Sequence, residues 1–350
     1  MSVKFSWWPH TESKKIASFR LRCLQIVEKL QKEGIDAGLY RVGGKPDVLI
    51  LSKRYDRASV AFALGLKAQY GTKLVLDICD NHFYSEFSTP KWMARAQMLR
   101  DAITAVDHVV CSTRALANLV QAEVENKASI SIIGDAAEEP FIPNAFEKFV
   151  HLPAELALWN LRRKIRLSGV ATGRRLVWFG NHGSANASGG MDDLLLIKDA
   201  LTSHHANGNI FLTVISNSKT KYEAIFSDYG VTSAYLNWNC GTFSRALQLH
   251  DIVLIPVNKN SFSICKTNNR VATAFKHGLS VAATAIPAYT TFADSACLDD
   301  WFNGLGGLMS NKEQRSIKIA KGCVLLDKEY SLAVITGQWR KALELPHEKG

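Results

Sequence analysis

An α/β protein of two successive domains, each built on a parallel sheet, is the fold class this sequence predicts. Three observations predict it. Short β-branched runs alternate with helix-length amphipathic stretches from end to end, the pattern of parallel sheets covered by helices. The alternation breaks once, at a proline-punctuated stretch, and restarts from a fresh first strand. At 350 residues the chain exceeds one ordinary domain, and 47% hydrophobic with 21% charged residues supplies two cores.

In the first half, strands are predicted near Val3–Trp8, Ala37–Tyr40, Val48–Leu51, Leu74–Asp77, Val109–Cys111 and Ser129–Ile133. Helices lie between them at Lys14–Lys32, which stops at Gly34, and at Arg57–Gln69, Lys91–Ala105 and Thr113–Glu125. Pro140, Pro143 and Pro153 then interrupt the rhythm, and a basic helix follows through Arg162, Arg163, Lys164 and Arg166. The second half restarts at Arg174–Gly180, with strands at Asn209–Ser216, Ser233–Trp238, Asp251–Val257 and Ser280–Thr284. Two helices, Lys312–Asp327 and Ser331–Leu343, close the chain. The expected division is residues 1–150, a linker at 151–172, and a second domain at 173–330, with the helix of 331–350 returning to the first domain. Ligands in such sheets sit beyond the carboxyl ends of the strands, so functional residues should follow strands.

A formal charge of +10 points to a polyanionic partner: nucleotide diphosphates, nucleic acid or an anionic membrane face. No RNP-like motif, zinc spacing or arginine-rich tail favours nucleic acid, which is excluded as a partner. The seven cysteines are scattered without a CxxC pair, as in a reduced, intracellular chain. Met1 to His10 has no apolar h-region and no run is long enough to span a bilayer. A cytoplasmic protein is expected, peripheral at the inner membrane face if the basic helix of 162–166 touches anionic lipid. A solvated basic face is the alternative for that helix.

The sharpest chemistry lies in Asp251–Val257, a loop, Cys265–Gly278, and Leu279–Ala283, read as strand, loop, helix and strand. Lys266, Asn269 and Arg270 fall at i, i+3 and i+4 and are expected on one face near the helix N-terminus. An ammonium, an amide and a forked guanidinium beside that positive end suit a diphosphate. A second feature is Val177-Trp-Phe-Gly180-Asn181-His-Gly183-Ser184, a strand running into a glycine-containing turn. Gly180 and Gly183 let the backbone approach phosphate oxygens, and Asn181 and Ser184 offer side-chain hydrogen bonds. Neither GxGxxG nor a P-loop is present, which disfavours nicotinamide dehydrogenases and P-loop NTPases.

Lys266-Thr-Asn-Asn-Arg270 followed by Ala274-Phe-Lys-His-Gly278-Leu-Ser-Val resembles the donor-binding helix of GT-B glycosyltransferases, in their glycogen-synthase-like (group 1) superfamily. Asp251-Ile-Val-Leu-Ile-Pro is similar to the strand before it. Ala105–Leu116 and Ile130–Ala136 resemble the late strand, helix and pre-linker segment of that group's first lobe. The resemblance implies two Rossmann-like domains facing across a cleft and a glycosyltransferase, hexosyltransferase-like, using a nucleotide-sugar donor. It further implies a glycan or lipid-linked acceptor, no cofactor, and no metal. These enzymes often carry two glutamates eight positions apart; anchoring on Gly278 places Cys265 and Thr273 there. A nucleotide-sugar epimerase of the same fold and a non-catalytic transferase-like subunit therefore stand as alternatives.

Other residues take roles within this reading. Asp80 and His82, clustered after the strand Leu74–Asp77, are the candidate general base, ahead of Asp77. Asp77 capping a turn and His82 as an ordinary loop residue are the alternatives. Arg20 is preferred over Arg22 as a phosphate contact from the first helix. Trp238 is the candidate for stacking a nucleobase, against the commoner fate of a core tryptophan.

Overall fold

In a computed structural model of the chain, residues 3–125 and 128–344 are described. They form two compact units. The first comprises Met1–Ala137, Ile264–Thr267 and Asp327–Gly350; the second comprises Glu138–Ser263 and Asn268–Leu326. The second unit takes in the proline-punctuated stretch from Glu138, which the sequence reading divided between first domain and linker.

The first unit is a six-stranded sheet of β1 (Phe5–Pro9), β2 (Ala37–Leu39), β3 (Val48–Ser52), β4 (Lys73–Ile78), β5 (His108–Cys111) and β6 (Ser129–Ile132). Its order is β2-β1-β3-β4-β5-β6 and every pairing is parallel. β3 and β5 are buried throughout, as strands covered by helices on both faces must be. The helix Arg57–Tyr70 starts on Asp56, whose side chain accepts from Ser59 N, and stops at left-handed Gly71. The first helix departs from expectation: Ala17–Phe19 and Gln25–Lys32 flank a π-helical Arg20–Leu24. That inserted turn accompanies Arg22, whose side chain is buried. The helix Leu332–Ala342 packs Trp339 edge-on against Trp7 at 5.8 Å, and Arg340 pairs with Glu33 at 2.9 Å. The end of the expected helix, residues 345–350, lies outside the described residues.

The second unit holds β7 (Arg175–Phe179), β8 (Phe211–Ser216), β9 (Ser233–Asn237), β10 (Ile252–Ile255), β11 (Ser280–Ala283) and β12 (Cys297–Leu298). The order is β12-β11-β10-β7-β8-β9, again all parallel. Counted from β7 this is the doubly wound 3-2-1-4-5-6 order. Two elements correct the sequence reading. The sequence predicts one helix over Met191–His204 after the Gly180–Ser184 turn, but the stretch begins as a 3-10 segment, Gly190–Ile197, before the α-helix Lys198–Ala206. The helix expected over Cys265–Gly278 begins only at Asn269 and runs to Lys276, so Lys266 precedes it. Lys266, Asn269 and Arg270 therefore do not share a helix face.

Burial of a charged network organises the first unit. Arg22 Nε and Nη2 donate to Asp77 at 2.9 and 2.6 Å, and Nη1 donates to Asp135 at 3.0 Å and to Ile133 O at 2.9 Å. Ser52 Oγ donates to the other oxygen of Asp77 at 2.8 Å. Arg22 and Asp77 are 1% and 0% exposed, so removing one partner strands a desolvated charge. Asp77→Ala is expected to cost about 3–5 kcal/mol in the stability of the first unit. Denaturant unfolding checks it; a loss within the range of an exposed ion pair would mean the network is dispensable.

Candidate functional sites

In the second unit the strand order reverses between β7 and β10, the place where open parallel sheets bind ligands. β7 ends in Phe179 and runs into Gly180, whose N donates to Ile215 O at 3.1 Å while its O accepts from Ser216 Oγ at 2.8 Å. Asn181 Oδ1 accepts from Gly183 N at 3.2 Å, and Ser184 Oγ donates to Asn186 Oδ1. The turn folds back tightly. A Cβ on Gly190, at φ +78°, would stand 2.6 Å from Gly183 Cα, so two backbones meet where only glycine fits. Asp193 fastens this turn to the loop after β10, accepting from Gly190 N and Asn258 N, both at 3.0 Å. Burial raises the Asp193 pKa, opposed by the Asn258 amide and the Arg270 charge.

Arg270, the second residue of its helix, reaches into this corner. Its guanidinium lies 5.1 Å from the Trp178 ring and 5.6 Å from the Phe179 ring. A Cβ on Gly180 would sit 3.7 Å from its Cζ. Nε and Nη2 are buried and have no hydrogen-bond partner, and the same holds for Nδ2 of the neighbouring Asn268, 4% exposed. Burial lowers the Arg270 pKa, with Tyr289 and Asp193 opposing. Unpartnered buried donors are costly, and a cation most of all. The two guanidinium donors thus stand beside a glycine turn at a switch point. Asn269 opens the helix with its own interactions. Trp238 follows β9, half-buried, with Phe243 at 6.2 Å; Phe243 in turn meets Phe179 at 5.3 Å. An aromatic row thus runs from Trp238 to the Arg270 corner.

In the first unit Asp80 and His82 come together with residues the sequence reading did not single out. Lys53 follows β3 at φ +52°, a left-handed conformation rare for lysine, and pairs with Asp80. Lys266 pairs with the other Asp80 oxygen. Burial pushes the Asp80 pKa up, but Lys266 and Lys53 more than offset it and hold the carboxyl well below the usual range. His82 Nε2 lies 4.0 Å from Asp80, and its Nδ1 is 2.6 Å from Tyr55 OH. Arg95 Nε donates to that hydroxyl at 2.7 Å, and its Nη2 lies 3.3 Å from both His82 ring nitrogens. Burial, with Arg95, Lys53 and Lys266, pulls the His82 pKa down to about 3 against the pull of Asp80. Asp77 is taken up in the buried network, and Thr267 Oγ1 donates to its member Asp135 at 2.8 Å. Of the two arginines, Arg22 enters that network, whereas Arg20 Nη1 donates to Lys14 O at 2.7 Å near the surface. Cys265 is buried, with its O accepting from Thr113 Oγ1 at 3.1 Å, and the Thr273 carbonyl lies 2.7 Å from His277 Nδ1.

A surface feature of the second unit completes the picture. The helix Leu152–Leu167 buries Leu158, Leu161 and Ile165. Its opposite face exposes Leu152, Leu156, Trp159 and Leu167, flanked by exposed Arg162, Arg163, Lys164 and Arg166. The preceding helix, Ala145–Val150, buries nothing and exposes Phe146 and Phe149 to 74% each. No described helix is long and apolar enough to cross a membrane. Among the described residues no group of three or more His, Cys, Asp or Glu could hold a metal ion.

Two all-parallel six-stranded sheets in two compact units, each flanked by helices, are the architecture of GT-B glycosyltransferases, and the chain has that fold. No family profile matches the sequence, and no curated protein does. Among solved structures it is similar to HepE from Anabaena in complex with UDP and glucose, with a TM-score of 0.64 and 11% identity over 98% of this chain and 99% of that one. It is also similar to TarM, with a TM-score of 0.60 and 12% identity over 91% of this chain and 57% of that one. A variant of S. aureus TarM is seen with fondaparinux, alpha-GlcNAc-glycerol and UDP. The chain thus spans somewhat over half the length of TarM. A trehalose-6-phosphate structure from E. coli bound with UDP-2-fluoro glucose matches at a TM-score of 0.57 and 13% identity, covering 93% of this chain and 78% of that one.

Buried neutral histidines make stability depend on pH. His250 in the second unit is held at about 4 by burial, with Nε2 2.6 Å from Thr213 Oγ1. Both His82 and His250 protonate near 6.5 when unfolded and far lower when folded, so the unfolded chain binds more protons below pH 6.5. Stability is complete above that value and falls with acidification towards pH 4. By pH 5 each ring is expected to contribute roughly 2 kcal/mol of destabilisation. Melting temperatures between pH 7.5 and 5 check this, and His82→Gln should flatten the slope; a flat wild-type profile would contradict it.

Proposed function

We propose that this chain transfers a sugar, hexosyl in class, from a nucleotide diphosphate donor to an acceptor hydroxyl, with the second unit holding the donor. The observation that carries this reading is the half-buried Arg270 guanidinium, whose buried Nε and Nη2 have no partner, beside Gly180 at the strand-order reversal. A diphosphate would satisfy Nε and Nη2 at once. The Gly180–Ser184 turn would let backbone amides approach its oxygens, and the aromatic row ending in Trp238 would stack the base. The UDP complexes of HepE and TarM support UDP as the nucleotide.

In the reaction the acceptor oxygen forms a bond to the anomeric carbon while the bond from that carbon to the β-phosphate oxygen breaks. The departing diphosphate keeps the electron pair, and Arg270 neutralises the charge it gains. A fixed guanidinium supplies that charge, so this reading needs no metal. Asp80 and His82 both titrate far below neutral pH and are poor general bases. Asp80 instead holds Lys53 and Lys266, and the acceptor proton passes to the departing phosphate. Because Lys266 is committed to Asp80, Arg270 rather than Lys266 carries the diphosphate contact. The acceptor is a glycan or a lipid-linked sugar, and the enzyme works at the cytoplasmic membrane face. That last point rests on the Trp159 face and its flanking arginines, which combine apolar insertion with attraction to anionic lipid.

Two experiments test this. Arg270→Met should lower UDP affinity by about tenfold or more in calorimetry. Because it removes a half-buried cation with unpartnered donors, the same variant should melt no lower than the wild type. Unchanged UDP affinity, or a large drop in melting temperature, would assign Arg270 to structure alone. For the membrane, the protein should sediment with phosphatidylglycerol-containing vesicles and not with pure phosphatidylcholine. Trp159→Glu with Arg163→Glu should abolish that binding; retention by the double variant would remove this face from the account.

A further inference from the structure

The first unit has its own strand-order reversal, between β1 and β3, and His10, Lys53 and Arg54 leave the carboxyl ends of those two strands. With Tyr55, Lys91 and Arg95 they line a pocket of about 360 Å³. The charge in it is one-sided. Lys53 pairs with Asp80, which it shares with Lys266. One carboxylate, Asp56, is at the wall against four cations; Ser59 N caps it at 2.9 Å and it also feels the Arg54 charge. Among the described residues Arg54, Lys91 and Arg95 form no ion pair. Aromatic faces and neutral oxygens hold them instead. Arg54 lies 4.7 Å from the Trp8 ring and donates to Pro9 O at 2.8 and 3.0 Å. Arg95 and Lys91 lie 5.2 and 5.8 Å from the Trp92 ring. These contacts fix the position of each cation without cancelling its charge.

We propose that this pocket binds the oxyanion of an anionic, sugar-sized ligand, a phosphate or carboxylate group carried by the acceptor. The word acceptor rests on the transfer reading above; the binding of the anion does not. Forked guanidiniums match both oxyanions, and the volume falls in the range of small-molecule sites, about 300–1,000 Å³, leaving room for a sugar ring beside the charge. His10 registers the same field: burial, then Lys53, Arg54 and Arg95, bring its pKa down to about 4, so it lines the pocket as a neutral ring at pH 7.

Calorimetric titration of the full chain with glucose 6-phosphate, glucuronate and neutral glucose, and separately with UDP, tests this. At least one of the two anions should bind about tenfold or more tightly than glucose, and which one does so distinguishes phosphate from carboxylate. Lys91→Ala, a change at an exposed side chain, and Arg54→Ala should each weaken that binding several-fold while leaving UDP affinity unchanged. Equal binding of charged and neutral sugars, or anion binding untouched by both variants, overturns the proposal. Anion binding that survives while UDP fails to bind would sink the transferase reading and leave the pocket standing.

Discussion

A half-buried guanidinium with two buried, unpartnered donors, set against the ends of a strand and a helix, is the constraint on which the rest of the second unit turns. Arg270 cannot be explained as packing. Leucine or methionine would cover Trp178 and Phe179 without desolvating a charge, whereas here Tyr289 and Asp193 oppose the cost of partly burying one. Around it the sequence makes room rather than contact. Gly180 withholds a side chain, Gly190 allows the turn to close on Gly183, and Asp193 is occupied by backbone amides of both loops. The result is a positive corner whose position the surrounding side chains and backbone fix.

The first unit shows the opposite solution. Arg22 is buried more deeply than half-buried Arg270, and its Nε and both terminal nitrogens are taken up by Asp77, Asp135 and a carbonyl. That network is architecture: it ties the first helix to the ends of the central strands. Beside it the Asp80 cluster is also closed, its carboxylate shared by Lys53 and Lys266. Comparing the three clusters separates charge that holds the fold from charge left over for chemistry. The surplus sits at the two strand-order reversals, on Arg270 in one sheet and on Arg54, Lys91 and Arg95 near the other.

Much of the fold was legible because parallel strands buried on both faces read as short apolar runs. Eleven of the strands lie within a residue or two of their expected positions; β12, only Cys297–Leu298, is too short to leave a periodic signal. Helix starts were less visible. Spacing placed Lys266, Asn269 and Arg270 on one face, but the helix begins at Asn269, because Ser263–Cys265 forms a separate 3-10 turn and Asn268 stands at the cap. That Gly180 would follow a strand and Arg270 would sit near a helix start could be read from a glycine turn after a strand and a basic helix start. Asn268, Asp193 and Lys53 could not. Their roles depend on loops brought together by tertiary folding, and in Lys53 on a left-handed backbone that no local pattern announces.

The most direct measurement is a crystal structure of the chain grown with UDP. The account predicts diphosphate oxygens about 2.7–2.9 Å from the Arg270 guanidinium nitrogens, with the base near Trp238. UDP bound away from Arg270, with Nε and Nη2 still unpartnered, would contradict it.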